Sequence, residues 1–136
     1  MIAILGCGKA KLDGLHRARD LYTGNLFRAH LRLAEALAPR LIYVTSAKYG
    51  LVGIDQEIDS YDLTLAELGR AELGVWRRDI AGRVDDLADH SELVLVLAGA
   101  AYASWVDGCH RRTVRPLAGM MVGERLSFVA HTVGSP

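Results

Sequence analysis

Three short, unbroken apolar runs constrain the fold of this 136-residue chain more than any other feature: Met1–Leu5, Leu41–Val44 and Leu93–Leu97. Each is too short for a buried helix and ends in glycine or polar residues, so each reads as a buried strand, with Leu93–Leu97 of the kind covered on both faces. Helical spacing fills the gaps between them. Leu26, His30, Leu33 and Leu37 share one face of Asn25–Ala38 before Pro39 stops the run, and Trp76, Ile80, Val84 and Leu87 define a second amphipathic helix. Thr64-Leu65-Ala66-Glu67 matches a capping box, and Gly69 and Gly74 are expected to break the helix that it opens. Ala98–Tyr102 leads to a short helix ending near Gly108, and Leu126–Val133 adds a last strand or helix. Strands alternating with helices predict an α/β fold: a Rossmann-like, single-domain three-layer sandwich over residues 1–136 with a mainly parallel central sheet.

Composition narrows the function classes. Half the residues are hydrophobic (51%), enough for a core, but no apolar run approaches the ~18 residues of a membrane span. The first residues read as a strand rather than a leader, so a cytoplasmic protein with no membrane partner is expected. Cys7 and Cys109 are too few for a disulfide framework and lack zinc-ligand spacing, so reduced thiols, no metal and no cofactor are expected. Net charge is zero, unlike a non-specific duplex binder, yet the charge is uneven. Residues 1–40 carry seven basic and three acidic side chains, residues 41–100 five and eleven, and residues 101–136 four and two. The clusters Lys9/Lys11/Arg17/Arg19 and Arg111/Arg112/Arg115 suit one or a few phosphates, or are simply solvated surface. Oligomeric state leaves no mark in the sequence.

Ligands of open α/β sheets sit beyond the carboxyl ends of the strands, and that is where the polar residues gather. The first strand runs into Gly6-Cys7-Gly8-Lys9-Ala10-Lys11, whose glycines and lysines suit an anion, although neither nucleotide-binding fingerprint is present. The second opens into Ser46-Ala47-Lys48-Tyr49-Gly50, and Gly99 and Tyr102 follow the third. Cys7, Gly8, Lys9, Lys11, Ser46, Lys48, Tyr49, Gly50, Gly99 and Tyr102 are therefore expected to converge on one cleft as substrate-binding residues. Asp20 and Tyr22 lie between the first strand and its helix and fold over the same edge, unless Asp20 serves turn chemistry. Asp59, Tyr61 and Asp62 lie on the chain's return from the second strand, where Asp62 flanks a reacting centre or caps the following helix. Cys7 is either a nucleophile activated by the lysines or an inert buried thiol, the second being preferred. His30, His90, Trp76, Trp105, Met120 and Met121 read as structural.

Five ordered segments carry a resemblance: Gly6–Lys11, Ala18–Phe27, Ser46–Leu51, Tyr61–Leu65 and Pro116–Gly119. Together they are similar to a small bacterial and phage family catalogued only as a domain of unknown function. Lys9–Asp13, Ser46–Leu51 and Tyr61 also resemble, more loosely, segments of the bacterial peroxide-stress DNA-binding proteins, which implies an α/β fold with a positively charged cleft. Leu65–Arg70 lacks the Gly-x-Gly hairpin with which helix-hairpin-helix modules grip duplex DNA, so the resemblance stops short of duplex binding. Fold order and the Cys7–Lys11 loop give a fainter likeness to uracil-DNA-glycosylase-like domains.

The expected function is an enzyme acting on a nucleotide, nucleoside or nucleic-acid base, with cleavage or exchange of an N-glycosidic bond as the preferred reaction. Such chemistry needs a carboxylate beside the cationic sugar, a donor to the departing base and an anchor for phosphate or sugar. Asp62, Asp59 or Asp20 would supply the first, Tyr49, Tyr61 or Tyr102 would contact the base, and Lys9, Lys11 and Lys48 would hold phosphate. The alternative is a non-catalytic module that binds nucleic acid or senses a nucleotide.

Overall fold

The computed structural model describes residues 1–134. Its core is a five-stranded mixed sheet in the order β4-β3-β1-β6-β7. The central strand, β1 (Ile2–Gly6), pairs in parallel with β3 (Ile42–Ser46) on one side and β6 (Leu93–Leu97) on the other. Parallel pairing continues from β6 to β7 (Arg112–Val114), while β4 (Gly50–Gly53) is an antiparallel edge. Every side chain of Ile2–Leu5 is at most 1% exposed, which explains the absence of alternation in the sequence. Ala3 and Leu5 point to the layer of α2 (Asn25–Ala36) and α4 (Val122–Val133), whereas Ile2 and Ile4 point to α3 (Arg70–Leu87). Three layers result, as the strand and helix patterns predict.

Several elements escaped the hydrophobic pattern. Leu15–Arg17 (β2) and Glu57–Asp59 (β5) form a separate antiparallel ribbon, followed in the chain by a single helical turn, α1 (Ala18–Leu21), after β2. The expected break at Gly74 is absent. Glycine inside a helix costs about 1 kcal/mol, and the packing of Trp76, Ile80 and Val84 outweighs it. Gly69 does interrupt the chain, separating a 3₁₀ turn at Leu65–Glu67 from α3. Glu67 accepts from the Thr64 N–H at 2.7 Å, so the capping box starts that 3₁₀ turn instead of a long helix. Leu126–Val133 belongs to a helix, α4. No helix among the described residues is long and apolar enough to cross a membrane.

Topology places the site. From β1 the chain crosses to β3 on one side, then returns past β1 to β6 on the other, so the loops following β1 and β6 diverge. The strands end level, with Gly6 opposite Thr45 and Leu5 opposite Leu97. Gly6 is required there: a Cβ would lie 2.8 Å from the Ala98 Cβ and 3.2 Å from that of Tyr102.

Candidate functional site

The divergence between β1 and β6 opens into a cleft of about 110 Å³ lined by Cys7, Gly8, Lys9, Lys11, Leu63, Thr64 and Tyr102. Lys11 is fixed at its mouth by an isolated bridge to Tyr22, and its ammonium donates to the Lys9 carbonyl at 3.1 Å. That ammonium lies 4.5 Å from the Tyr61 ring centroid and 5.9 Å from that of Tyr22, within the range of cation–π attraction.

Behind the cleft is a cluster of neutral donors. The Tyr22 and Tyr61 hydroxyls are 2.6 Å apart, and the Ser46 hydroxyl lies beside both. Cys7 packs against the same core cluster as Tyr22 and Tyr61 and lines the cleft beside Tyr102. Burial is the main cause of every titration shift here. It raises Tyr22 and Tyr61 well above the ordinary phenol range and pushes Tyr102 up to about 12. Burial also raises the Cys7 thiol, and the opposing effects of Tyr61, Tyr102 and Lys11 do not reverse it. Cys7 is therefore a protonated thiol, in keeping with its inert reading. At neutral pH the cluster presents O–H and S–H groups, which both donate and accept.

The Ser46–Gly50 segment is a tight hairpin between β3 and β4 rather than an open loop. Ser46, fully buried, accepts from the backbone N–H groups of Lys48 (3.2 Å) and Tyr49 (3.0 Å). Gly50 takes a positive φ of 72°, and a Cβ there would meet Asp79 of α3 at 3.2 Å, so it closes the hairpin and faces away from the cleft. Lys48, at the exposed tip, rests against Tyr49 with its ammonium 5.2 Å from the ring centroid. Tyr49 packs edge-on to Tyr61 at 5.5 Å and donates to the Asp59 carbonyl at 3.2 Å. Gly99 is exposed in the turn after β6, where its carbonyl accepts from Ala103.

The candidate carboxylates do not enter this cluster. Asp62 is exposed, between Tyr61 of the donor cluster and Leu63 of the cleft wall. Asp59 is exposed in β5. Asp20 pairs with Arg17 at 3.2 Å and borders a different groove beside α2. Among the described residues no three His, Cys, Asp or Glu side chains come together as a metal-ligand set.

Sequence reasoning passed over two features. Leu63 and Thr64 form a cleft wall, although Thr64 was legible only as a cap. Behind Ala98, Arg125 and His30 are 6% and 2% exposed. The Arg125 guanidinium reaches His30 Nε2 at 3.3 Å and donates to the carbonyls of Ala98 (3.2 Å) and Met120 (3.2 Å). A guanidinium can only donate, so Nε2 is the acceptor and the imidazole is neutral. Burial, then the Arg125 cation, pushes His30 down to about 4. This pair props the loop after β6 from beneath.

An α/β sheet with a donor-rich crevice at its switch point thus defines the class of protein. The sequence profile of DUF6884, a family of unknown function, matches residues 2–131, and the chain belongs to that family. No curated protein matches the chain.

Proposed function

We propose that the cleft after β1 takes the base of a nucleotide- or nucleobase-containing substrate and that the protein cleaves or exchanges its N-glycosidic bond. One observation carries the reading: phenol, thiol and ammonium groups converge on a small crevice whose lining holds no carboxylate. A planar heterocycle rich in acceptors complements that set. The crevice is well below the roughly 300 Å³ of an ordinary small-molecule pocket, so only the base would enter, leaving sugar and phosphate across the rim formed by Gly8, Lys9 and Lys11. Tyr102, kept protonated and lining the cleft, would donate to the departing base as the bond from C1′ to nitrogen breaks and its electron pair moves onto the ring, with Tyr61 behind it. Asp62, exposed and next in the chain to Leu63 of the cleft wall, would stabilise the sugar cation until water, losing a proton, or an incoming base closes on C1′. The fainter likeness to uracil-DNA-glycosylase-like domains, an analogy of fold order and of the Cys7–Lys11 loop, points the same way.

The exposure of Asp59, Asp62 and Asp20 favours a second reading, a non-catalytic nucleotide-binding module akin to the peroxide-stress proteins. Chromatography of nucleoside monophosphates, and of a single-stranded oligonucleotide of mixed sequence, incubated with the protein separates the two. Free base should accumulate with the wild type, and Lys9→Ala/Lys11→Ala should weaken binding in titration calorimetry. Binding without base release from any common nucleotide or from the oligonucleotide would overturn the enzyme in favour of the module.

A further inference from the structure

We infer that α2 carries a track for a single nucleic-acid strand, making the substrate of the proposed cleft a polymer rather than a free nucleotide. The inference rests on that cleft being a nucleobase site. Two grooves of about 400 and 450 Å³ flank α2, and Arg28 and Arg32 line both. These residues are one helical turn apart, with about 6 Å between their Cβ atoms, so they form a cationic ridge that can meet neighbouring phosphates on one strand. Leu12 and Leu31 line one groove and Leu126 and Ala130 the other, giving apolar ground for sugars and bases beside the ridge.

Charge on this face is unbalanced. The nearest acids are already engaged: Asp20 pairs with Arg17 at 3.2 Å, and Glu35 and Asp55 with Arg19 at 3.4 and 2.6 Å. Among the described residues, neither Arg28 nor Arg32 has an ion pair or a side-chain hydrogen bond. Arg32 is also half-buried. Its Nε is shut from solvent with no acceptor, a cost that a freely solvated surface arginine avoids by swinging into water. A half-buried, uncompensated cation beside a second one fits an arriving polyanion.

The track and the cleft are joined along the chain. Leu12 of the first groove follows Lys11 of the cleft, and Asn25, which opens α2 and borders the second groove, lies just beyond Tyr22 of the donor cluster. A strand held along α2 would present one base to the crevice while its neighbours stay on the ridge. Phosphate contacts of this kind position a strand without reading its sequence.

Fluorescence anisotropy with a labelled oligothymidylate of about twenty nucleotides, titrated from low to moderate salt, tests the proposal. Arg28→Ala/Arg32→Ala should weaken binding about tenfold or more and flatten the slope of log affinity against log salt by about 1.4, since each phosphate contact on a single strand contributes about 0.7. Arg28→Lys/Arg32→Lys should keep most of the slope, because a point charge still neutralises phosphate. An unchanged slope in the alanine variant, or no oligonucleotide binding by the wild type at low salt, overturns the track. Displacement of the oligonucleotide by polyglutamate at equal charge concentration overturns a nucleic acid as its occupant. Failure of the cleft reading looks different: the wild type binds the oligonucleotide and releases no base from it or from nucleotides, while the alanine variant still loses its slope.

Discussion

At the amino ends of the central strands, Glu92 gathers the Arg40 guanidinium at 2.6 Å, the terminal ammonium of Met1 at 3.1 Å and the Asp89 N–H at 3.1 Å. At the carboxyl ends of the same strands, three phenols, a thiol and the Lys11 ammonium crowd together with no carboxylate among the cleft-lining residues. One end is a closed account of charge. The other mixes hydroxyls that both donate and accept with the Lys11 ammonium, which keeps donors beyond its bond to the Lys9 carbonyl and borders a crevice. A folded sheet needs its strand ends tied together, and the amino end shows how this chain does so where nothing else is asked of it. The carboxyl end achieves cohesion through weaker neutral contacts and leaves room for a partner that accepts hydrogen bonds.

The largest expected effect breaks the comparison at the rim of the open end. As a hypothesis motivated by its place between Tyr61 and Leu63, Asp62→Asn should lower turnover about 10²-fold or more, the range seen when a preorganised transition-state stabiliser is removed. Its melting temperature should not move, since Asp62 makes no contact that the fold depends on. Activity retained within a few-fold would reject Asp62 as the catalytic carboxylate and shift attention to Asp59.

A smaller effect sharpens the contrast inside the cluster. Tyr61→Phe strands the fully buried Tyr22 hydroxyl and should cost about 1–3 kcal/mol, visible as a lowered melting temperature. Removing both hydroxyls in Tyr22→Phe/Tyr61→Phe should recover much of that loss, because no unpaired donor remains. Stability losses that simply add would mean that the two hydroxyls act independently, and the picture of one coupled donor cluster would fail.

How far the sequence could be read follows the same division. The unbroken apolar strands and the 3.6-residue spacing of α2 and α3 announce themselves locally, and Cys7, Lys9, Lys11 and Tyr102 inherit their position simply by following a strand. The short strands do not: Leu-His-Arg and Glu-Ile-Asp carry no pattern, and only their mutual pairing makes them a ribbon. Ser46 and Gly50 look like site residues because hydroxyls and glycines serve ligands and turns equally well. The turn won once β4 folded back on β3. The Tyr22–Tyr61 pair spans 39 positions and the His30–Arg125 pair 95, so both are products of packing that no local signal encodes.

The closed end yields the smallest effect, and pH reads it. The Arg40 guanidinium, then the Asp89 N–H and the terminal ammonium, hold Glu92 down at about 2 from an ordinary value of 4.5. A carboxylate whose pKa is depressed by folding binds fewer protons folded than unfolded, so its stabilising contribution is complete above pH 4.5 and disappears as pH falls toward 2. Thermal melts of the wild type should therefore lose stability across that window. Glu92→Gln removes the titrating group, so it should melt somewhat lower at neutral pH and lose less on acidification. Its partners are largely solvent-facing, with Arg40 49% exposed, so screening keeps the effect modest and 0.5 M salt should shrink it further. An acid profile identical to that of the wild type would show that the clasp contributes nothing to holding the amino ends of the strands together.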